Sequence, residues 1–304
     1  MSISAADENP RAADDPAFRD AVTFSFGDSA AQLYGLARIG IGGGGASGFV
    51  VVYAGDELAG ASTQAQVALE VPETWEPVSA AGVRCTVVTP LESWTVRYDG
   101  TDAAFDLRFE ALSSPAALDP GSAVARAGGM AGYEQLCGVT GQVRHGGRSH
   151  QVRCLGQRGH QWGTPDWSRI ELARTLSAWI GGDRAVTLTA VRPARAKHHD
   201  EEVVGGFLIN RGAPEPIFDP RLSTTYDGEL RQRRAGLELW MSEEGGHARR
   251  AAGAAVCGTT VDLGDLRLDS AFFEWRMEGR TGTGRYDVLR RVSANGGGGL
   301  LRRR

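Results

Sequence analysis

The densest run of side chains able to do chemistry is Gly156–Trp167, which reads Gly-Gln-Arg-Gly-His-Gln-Trp-Gly-Thr-Pro-Asp-Trp. Its glycines and proline break regular strand, so the sequence predicts an irregular segment here. Large amphipathic rings beside glycines suit the wall of a small-molecule pocket, each Trp supplying apolar area and one N–H. The same composition also serves a packed inter-domain linker with Trp162 and Trp167 as plugs. Glu134, His160 and Asp166 are the candidate acids and donors. A carboxyl walled by tryptophan loses hydration, so its pKa rises and it keeps its proton near neutrality. Either Asp166 or Glu134 can then be the proton donor, with His160 as its partner or as a donor that orients the substrate. Trp162, Trp167 and Trp179 would supply aromatic walls whose π faces stabilise cationic character. Tyr133 and Arg158 complete the expected lining. Structural roles stand beside these: His160 bonded to a loop carbonyl, Asp166 capping the element after Pro165, and Glu134 paired with Arg158 or Arg148. Trp240 and Trp275, at strand positions, read as core.

The elements that must position these residues have a period of two. Val22–Phe26, Phe49–Tyr53, Gln64–Val71, Arg84–Val88, Trp94–Tyr98 and Phe105–Glu110 are short runs of β-branched and aromatic residues, as strands require. Turn pairs such as Gly55-Asp56 and Asp99-Gly100 separate them. Ser113–Ala131, rich in Ala, Pro, Ser and Gly, reads as a long loop. Tyr133–Arg144 and Ser149–Leu155 then form a hairpin through His145-Gly146-Gly147-Arg148. Leu172–Ile180, Ala185–Val191, Val203–Asn210, Pro216–Phe218, Leu237–Met241, His247–Val256, Ala271–Met277 and Arg285–Val292 continue the pattern. At 304 residues the chain exceeds the usual single core. The expected organisation is a disordered leader over 1–17, domains over 18–165 and 166–293, and a disordered tail over 294–304. No close internal sequence repeat joins the halves.

Several function classes find no support. A net charge of −4 offers nothing to a polyanion, so no nucleic-acid partner is expected. No run is long and apolar enough for a transmembrane segment. The acidic start, Met1 to Pro16, lacks the apolar core of a secretory signal, and with four scattered cysteines this places the protein in the cytoplasm. Gly40–Gly45 matches Gly-x-Gly-x-x-Gly, but a strand follows where phosphate binding needs a helix, so it reads as a hairpin. His198-His199-Asp200 lies on an extended run whose neighbours point opposite ways, which disfavours a metal site. There is no Gly-x-Ser-x-Gly elbow and no Asp-Asp-x-x-Asp cage for a magnesium diphosphate. No cofactor is therefore expected, and the expected partner is an apolar small molecule. The oligomeric state is not readable from the sequence.

Tyr133-Glu134-Gln135, Gly138–Gly141, the Gly146-Gly147-Arg148 turn and then Arg158, His160, Trp162, Gly163, Asp166 and Trp167 resemble the carotenoid 1,2-hydratase (hydroxyneurosporene synthase) and AttH-like superfamily. Its pattern runs close to Tyr-Glu-Gln, then Gly-x-Arg-Asp-His-Ser-Trp-Gly-x-Arg-Asp-Trp. The resemblance covers Tyr133 to Trp167. Two departures stand out: Gly159 replaces the family Asp, and Thr164-Pro165 replaces a variable-Arg pair. The resemblance implies an all-β fold of two consecutive lipocalin-like antiparallel domains with a ligand cavity near their junction. It also implies a cofactor-independent hydratase or cyclase of isoprenoids or polyenes. Binding of an apolar ligand without turnover is the alternative.

Overall fold

A computed structural model describes residues 1–196, 201–244 and 246–292. Two curled antiparallel sheets account for most of it. The first holds β1 (Arg19–Asp28), β2 (Leu33–Gly42), β3 (Gly45–Ala54), β4 (Glu57–Ala68), β5 (Val83–Thr89), β6 (Ser93–Asp99), β7 (Ala103–Ala111), β8 (Ala116–Leu118), β9 (Met130–His145) and β10 (Arg148–Gly163). The second holds β11 (Ile170–Gly181), β12 (Arg184–Pro193), β13 (Val203–Asn210), β14 (Ala213–Pro216), β15 (Asp219–Tyr226), β16 (Gln232–Trp240), β17 (Arg249–Asp262), β18 (Leu266–Met277) and β19 (Arg280–Arg291). A short helix, α1 (Ala123–Gly128), precedes β9.

The two sheets share one connectivity. The strand order is β4-β3-β2-β1-β10-β9-β7-β6-β5 in the first and β14-β13-β12-β11-β19-β18-β17-β16-β15 in the second. In each, the first strand pairs with the last, so the sheet curls around its own core. The repeat that is absent from the sequence is present in the topology. This is the tandem lipocalin-like, all-β architecture that the resemblance implies.

Strand alternation fills three cores. On β1, Val22, Phe24 and Phe26 point into the first curl, with Trp75, Trp94, Phe105 and Phe109. Leu176, Leu188, Phe273, Trp275 and Tyr286 fill the second. The outer faces meet in a third core, where Tyr34, Leu36 and Tyr53 pack on Trp179, Ile209 and Phe272. The first strand of each sheet meets the last strand of the other there, β1 against β19 and β11 against β10.

Several local expectations change. Gly156–Gly163 is not irregular: it continues β10, paired with β1 on one side and β9 on the other. Its glycines sit where neighbouring groups take the room of a side chain; a Cβ on Gly156 would lie 2.4 Å from the Ser25 carbonyl oxygen. Ser113–Ala131 contains β8 and α1, the helix capped by Ser122 and ended by Gly129 in the left-handed region. The segment expected to be a disordered leader forms a 3₁₀ turn at Ala5–Glu8 and buries Glu8. Gly43 and Gly44, both at positive φ, close the β2–β3 hairpin, as the strand after the glycine run requires. Residues 197–200 and the tail 294–304 lie outside the described residues. Among the described residues no group of three His, Cys, Asp or Glu is placed to hold a metal, and no helix is long and apolar enough to cross a membrane.

Candidate active site

Between the two sheets lies a cavity of about 840 Å³, within the size range of small-molecule sites. Ile41, Phe49, Val124, Trp167, Leu268 and Leu289 give it apolar wall. Thr23, Arg38, Gln161, Thr175, Arg285 and Asp287 also face it. These residues come from β1, β2, β3, β10, β11, β18 and β19, with Val124 on α1 and Trp167 in the connection from β10 to β11. A smaller pocket of about 20 Å³ adjoins it, sharing Leu118, Gln161 and Thr189 and reaching Glu134. That is room for about one water.

Glu134 is a buried acid on this inter-domain side. Gln157 donates to its Oε2 at 2.7 Å and Gln161 to its Oε1 at 3.2 Å. Burial pushes its pKa above the ordinary 4.5, outweighing the pull of Arg285, Gln157 and Arg38 in the other direction. Asp287 behaves alike: burial raises it despite Arg285 and the Ser270 hydroxyl, which donates to Oδ1 at 2.7 Å. The site thus pairs two carboxyls biased toward their protonated forms with two guanidiniums.

Gly159 lies directly across the β9–β10 pair from Glu134. A Cβ at 159 would stand 2.4 Å from Glu134 Oε2 and 2.6 Å from its Cδ. The space in which the superfamily's Asp side chain would begin is therefore filled by the Glu134 carboxyl. Gly159→Ala is expected to push that carboxyl off Gln157 and cost about 1–3 kcal/mol, as overpacking does. In a Glu134→Ala background the same change should cost much less. Thermal melts of the four proteins measure that coupling, and equal costs in both backgrounds would remove the contact from the argument.

The motif residues on the even positions of β10 face the other way, into the first curl. His160 is buried, with Nε2 2.6 Å from Asp20 Oδ1 and its ring edge-on to Trp75, Tyr133 and Trp162. Arg158 donates to both carboxylate oxygens of Glu8, at 2.8 and 3.0 Å. Trp94 donates to Glu8 at 2.6 Å, and the Tyr133 hydroxyl also donates to it. Arg11 stacks on Trp162 at 3.7 Å and its backbone N–H reaches Asp20 at 2.7 Å. Tyr133, Arg158, His160 and Trp162 therefore latch the N-terminal segment to the first domain. Of this group's partners, Asp20 also borders the cavity.

The remaining candidates separate. Asp166 is exposed, and hydrogen bonds from the Ser168 hydroxyl and N–H, at 2.6 and 3.0 Å, hold its carboxyl below the usual range. It caps the turn after Pro165 as an ionised group. Trp167 lines the cavity. Trp179 is fully buried in the inter-domain core and donates to Gln157 Oε1 at 3.1 Å. Trp275 belongs to the second core, whereas Trp240 is half-buried under Arg221. The structure brings together Glu134 and Trp167 with Arg38, Gln157, Gln161, Arg285 and Asp287, which sequence reasoning passed over. A signal existed for three of them. Arg285 and Asp287 share one strand face with Leu289, and Arg38 interrupts an apolar run; both are patterns of charge on a covered face.

The shape has solved counterparts. The AttH protein of Nitrosomonas europaea superposes with a TM-score of 0.66 at 11% identity, covering 92% of this chain and 95% of that one. Kievitone hydratase from Nectria haematococca gives 0.64 at 10% identity, covering 90% and 88%. CghA in complex with Sch210972 gives 0.63 at 11% identity, covering 90% and 89%. At such identities the likeness is one of fold, and it agrees with the AttH-like resemblance read from Tyr133–Trp167. No curated protein matches the chain by sequence. A family profile described as a domain of unknown function, DUF7064, matches residues 4–292, and the chain belongs to that family.

Proposed function

We propose that the protein is a cofactor-independent hydratase or cyclase acting on an isoprenoid, terpenoid or related polyene held in the inter-domain cavity. The observation that carries this reading is a cavity of about 840 Å³ with mixed apolar and polar walls, lined by the partly buried acid Asp287 and adjoined by the small pocket that reaches the buried acid Glu134. An alkene offers no group to bind strongly, so catalysis needs shape, exclusion of water and one well-placed proton. Glu134 is that donor, acting directly or through one water in the small pocket beside it. Protonation of the alkene leaves a carbocation. Water captures it in hydration, and a second double bond captures it in cyclisation. The proton then released is taken back by the Glu134 carboxylate, which restores the acid. Trp167 faces the cation from the wall, and His160 acts at one remove, by fixing Asp20 at the cavity edge. The name of one structural relative, kievitone hydratase, supports the reading. The four free thiols are in keeping with a cytoplasmic setting.

The test is incubation of the purified chain with acyclic prenyl alcohols, prenyl diphosphates and conjugated polyenes, followed by chromatography and mass spectrometry. Isomeric or water-added products, lost in Glu134→Gln, are expected. A ligand retained by the protein without any product would replace this reading with that of a carrier.

A further inference from the structure

We infer that the molecule taken by the inter-domain cavity is an apolar chain ending in a delocalised acidic oxygen group, a carboxylate or enolate, received by Arg38 and Arg285. The inference rests on the cavity being the binding site. Arg38 comes from β2 and Arg285 from β19, so each sheet contributes one guanidinium to the same space. Arg285 is 4% exposed. Among the described residues Arg38 donates only to the Thr23 hydroxyl, at 2.9 Å. Arg285 sits beside Asp287 with Nε 3.3 Å from Oδ2, in a geometry that leaves Nε without a hydrogen bond. Each guanidinium carries five N–H donors, so both cavity-lining arginines have donors left for a ligand.

Among the described residues no hydrogen bond joins either guanidinium to a carboxylate, although Arg285 and Asp287 form an ion pair at 3.3 Å. Asp287 accepts from Ser270, and Glu134 from Gln157 and Gln161. Burial raises the pKa of both acids, and loss of hydration and then Arg285 weigh against the charge on Arg38, with Glu134, Asp20 and Asp287 favouring it. The cluster thus holds two guanidiniums with unfilled donors in a partly dehydrated place. A hydrocarbon entering the cavity would strip water from two cations and return nothing. A planar anion with two oxygens returns charge-assisted hydrogen bonds in a geometry that guanidinium groups match. The apolar residues beside them accommodate the rest of the chain.

cis-Parinaric acid and its methyl ester are suitable probes, because the tetraene becomes strongly fluorescent on entering an apolar site and only one of the two is ionised at neutral pH. Titration of the full chain is expected to show the acid binding about tenfold or more tightly than the ester, the ratio that charge-assisted bonds supply. Arg38→Met and Arg285→Met should each remove most of that preference and leave ester affinity within about threefold, which also reports that the variants are folded. Equal affinity for acid and ester in the unaltered protein overturns the inference, and so does a preference that survives both substitutions. Binding of neither probe overturns the cavity as the ligand site, a different failure.

Discussion

Glu8→Ala is expected to lower the unfolding free energy by about 3–5 kcal/mol, the cost of leaving one half of a buried ion pair behind. Glu8 is 1% exposed and Arg158 2%. The carboxylate accepts from Arg158, Trp94 and Tyr133, so the substitution orphans a cation and two neutral donors together. Arg158 cannot relax into water, because β10 is hydrogen-bonded on both sides and its Nε already lacks a partner. In a chain of this size the melting temperature should fall by roughly 10 °C. Deleting residues 1–9 should cost at least as much, since it also removes the Glu8 carbonyl that accepts from the buried Trp75 N–H at 2.9 Å. Glu8→Leu combined with Arg158→Met should recover most of the loss, because replacing both partners by apolar groups leaves no buried charge. A melt of Glu8→Ala within a degree or two of the unaltered protein would mean that the N-terminal segment does not dock as described.

That latch explains what in the site could be read from the sequence and what could not. Period-two patterning located most strands, because each β-branched run needed only its own residues to declare itself. The glycine hairpin at Gly43-Gly44 was legible for the same reason. The motif Gly156–Trp167 misled because adjacency in sequence is not adjacency on a strand. Residues 158, 160 and 162 turn into the first curl while 157, 159 and 161 turn toward the second domain, so one cluster of letters serves two places. Tyr133 and Glu134 part in the same way. The polar cluster at the cavity draws on Arg38, Glu134 and Asp287, residues far apart in the chain, and is assembled by a topological repeat that has no sequence counterpart. Glu8 was hidden for a different reason: an acidic segment of low hydropathy reads as solvated, and nothing local shows that one of its carboxylates meets a buried arginine.

Glu134→Gln is expected to lower turnover by about two to four orders of magnitude, the usual contribution of general acid catalysis, without destabilising the protein at neutral pH. The two halves of that result have one cause. The glutamine keeps the length of the side chain and can still accept from Gln157 through its one oxygen, with the Gln161 amide turned to accept from its NH2, but it has no acidic proton to give. Its effect on stability follows from the direction of the pKa shift. Burial raises Glu134 above its ordinary 4.5, so between that value and the raised one the folded chain holds a proton that the unfolded chain has released. Stability therefore declines as pH rises through this window, and the carboxyl is a burden above it. Glutamine is permanently uncharged and removes this burden, so the variant should melt at or above the unaltered protein at neutral pH and show a shallower pH dependence. On the proposed mechanism, turnover by the unaltered protein should fall as pH climbs through the same window, because only the protonated acid donates. An ionised Glu134 held as a structural partner of Arg285 and Arg38 predicts the reverse: Glu134→Gln melting well below the parent at neutral pH, with no falling limb in the rate. Thermal melts across the pH range, set beside rates on whichever substrate is turned over, separate the two. A substitution that stops the chemistry while leaving the fold equally or more stable identifies a carboxyl kept in an unfavourable place for its proton.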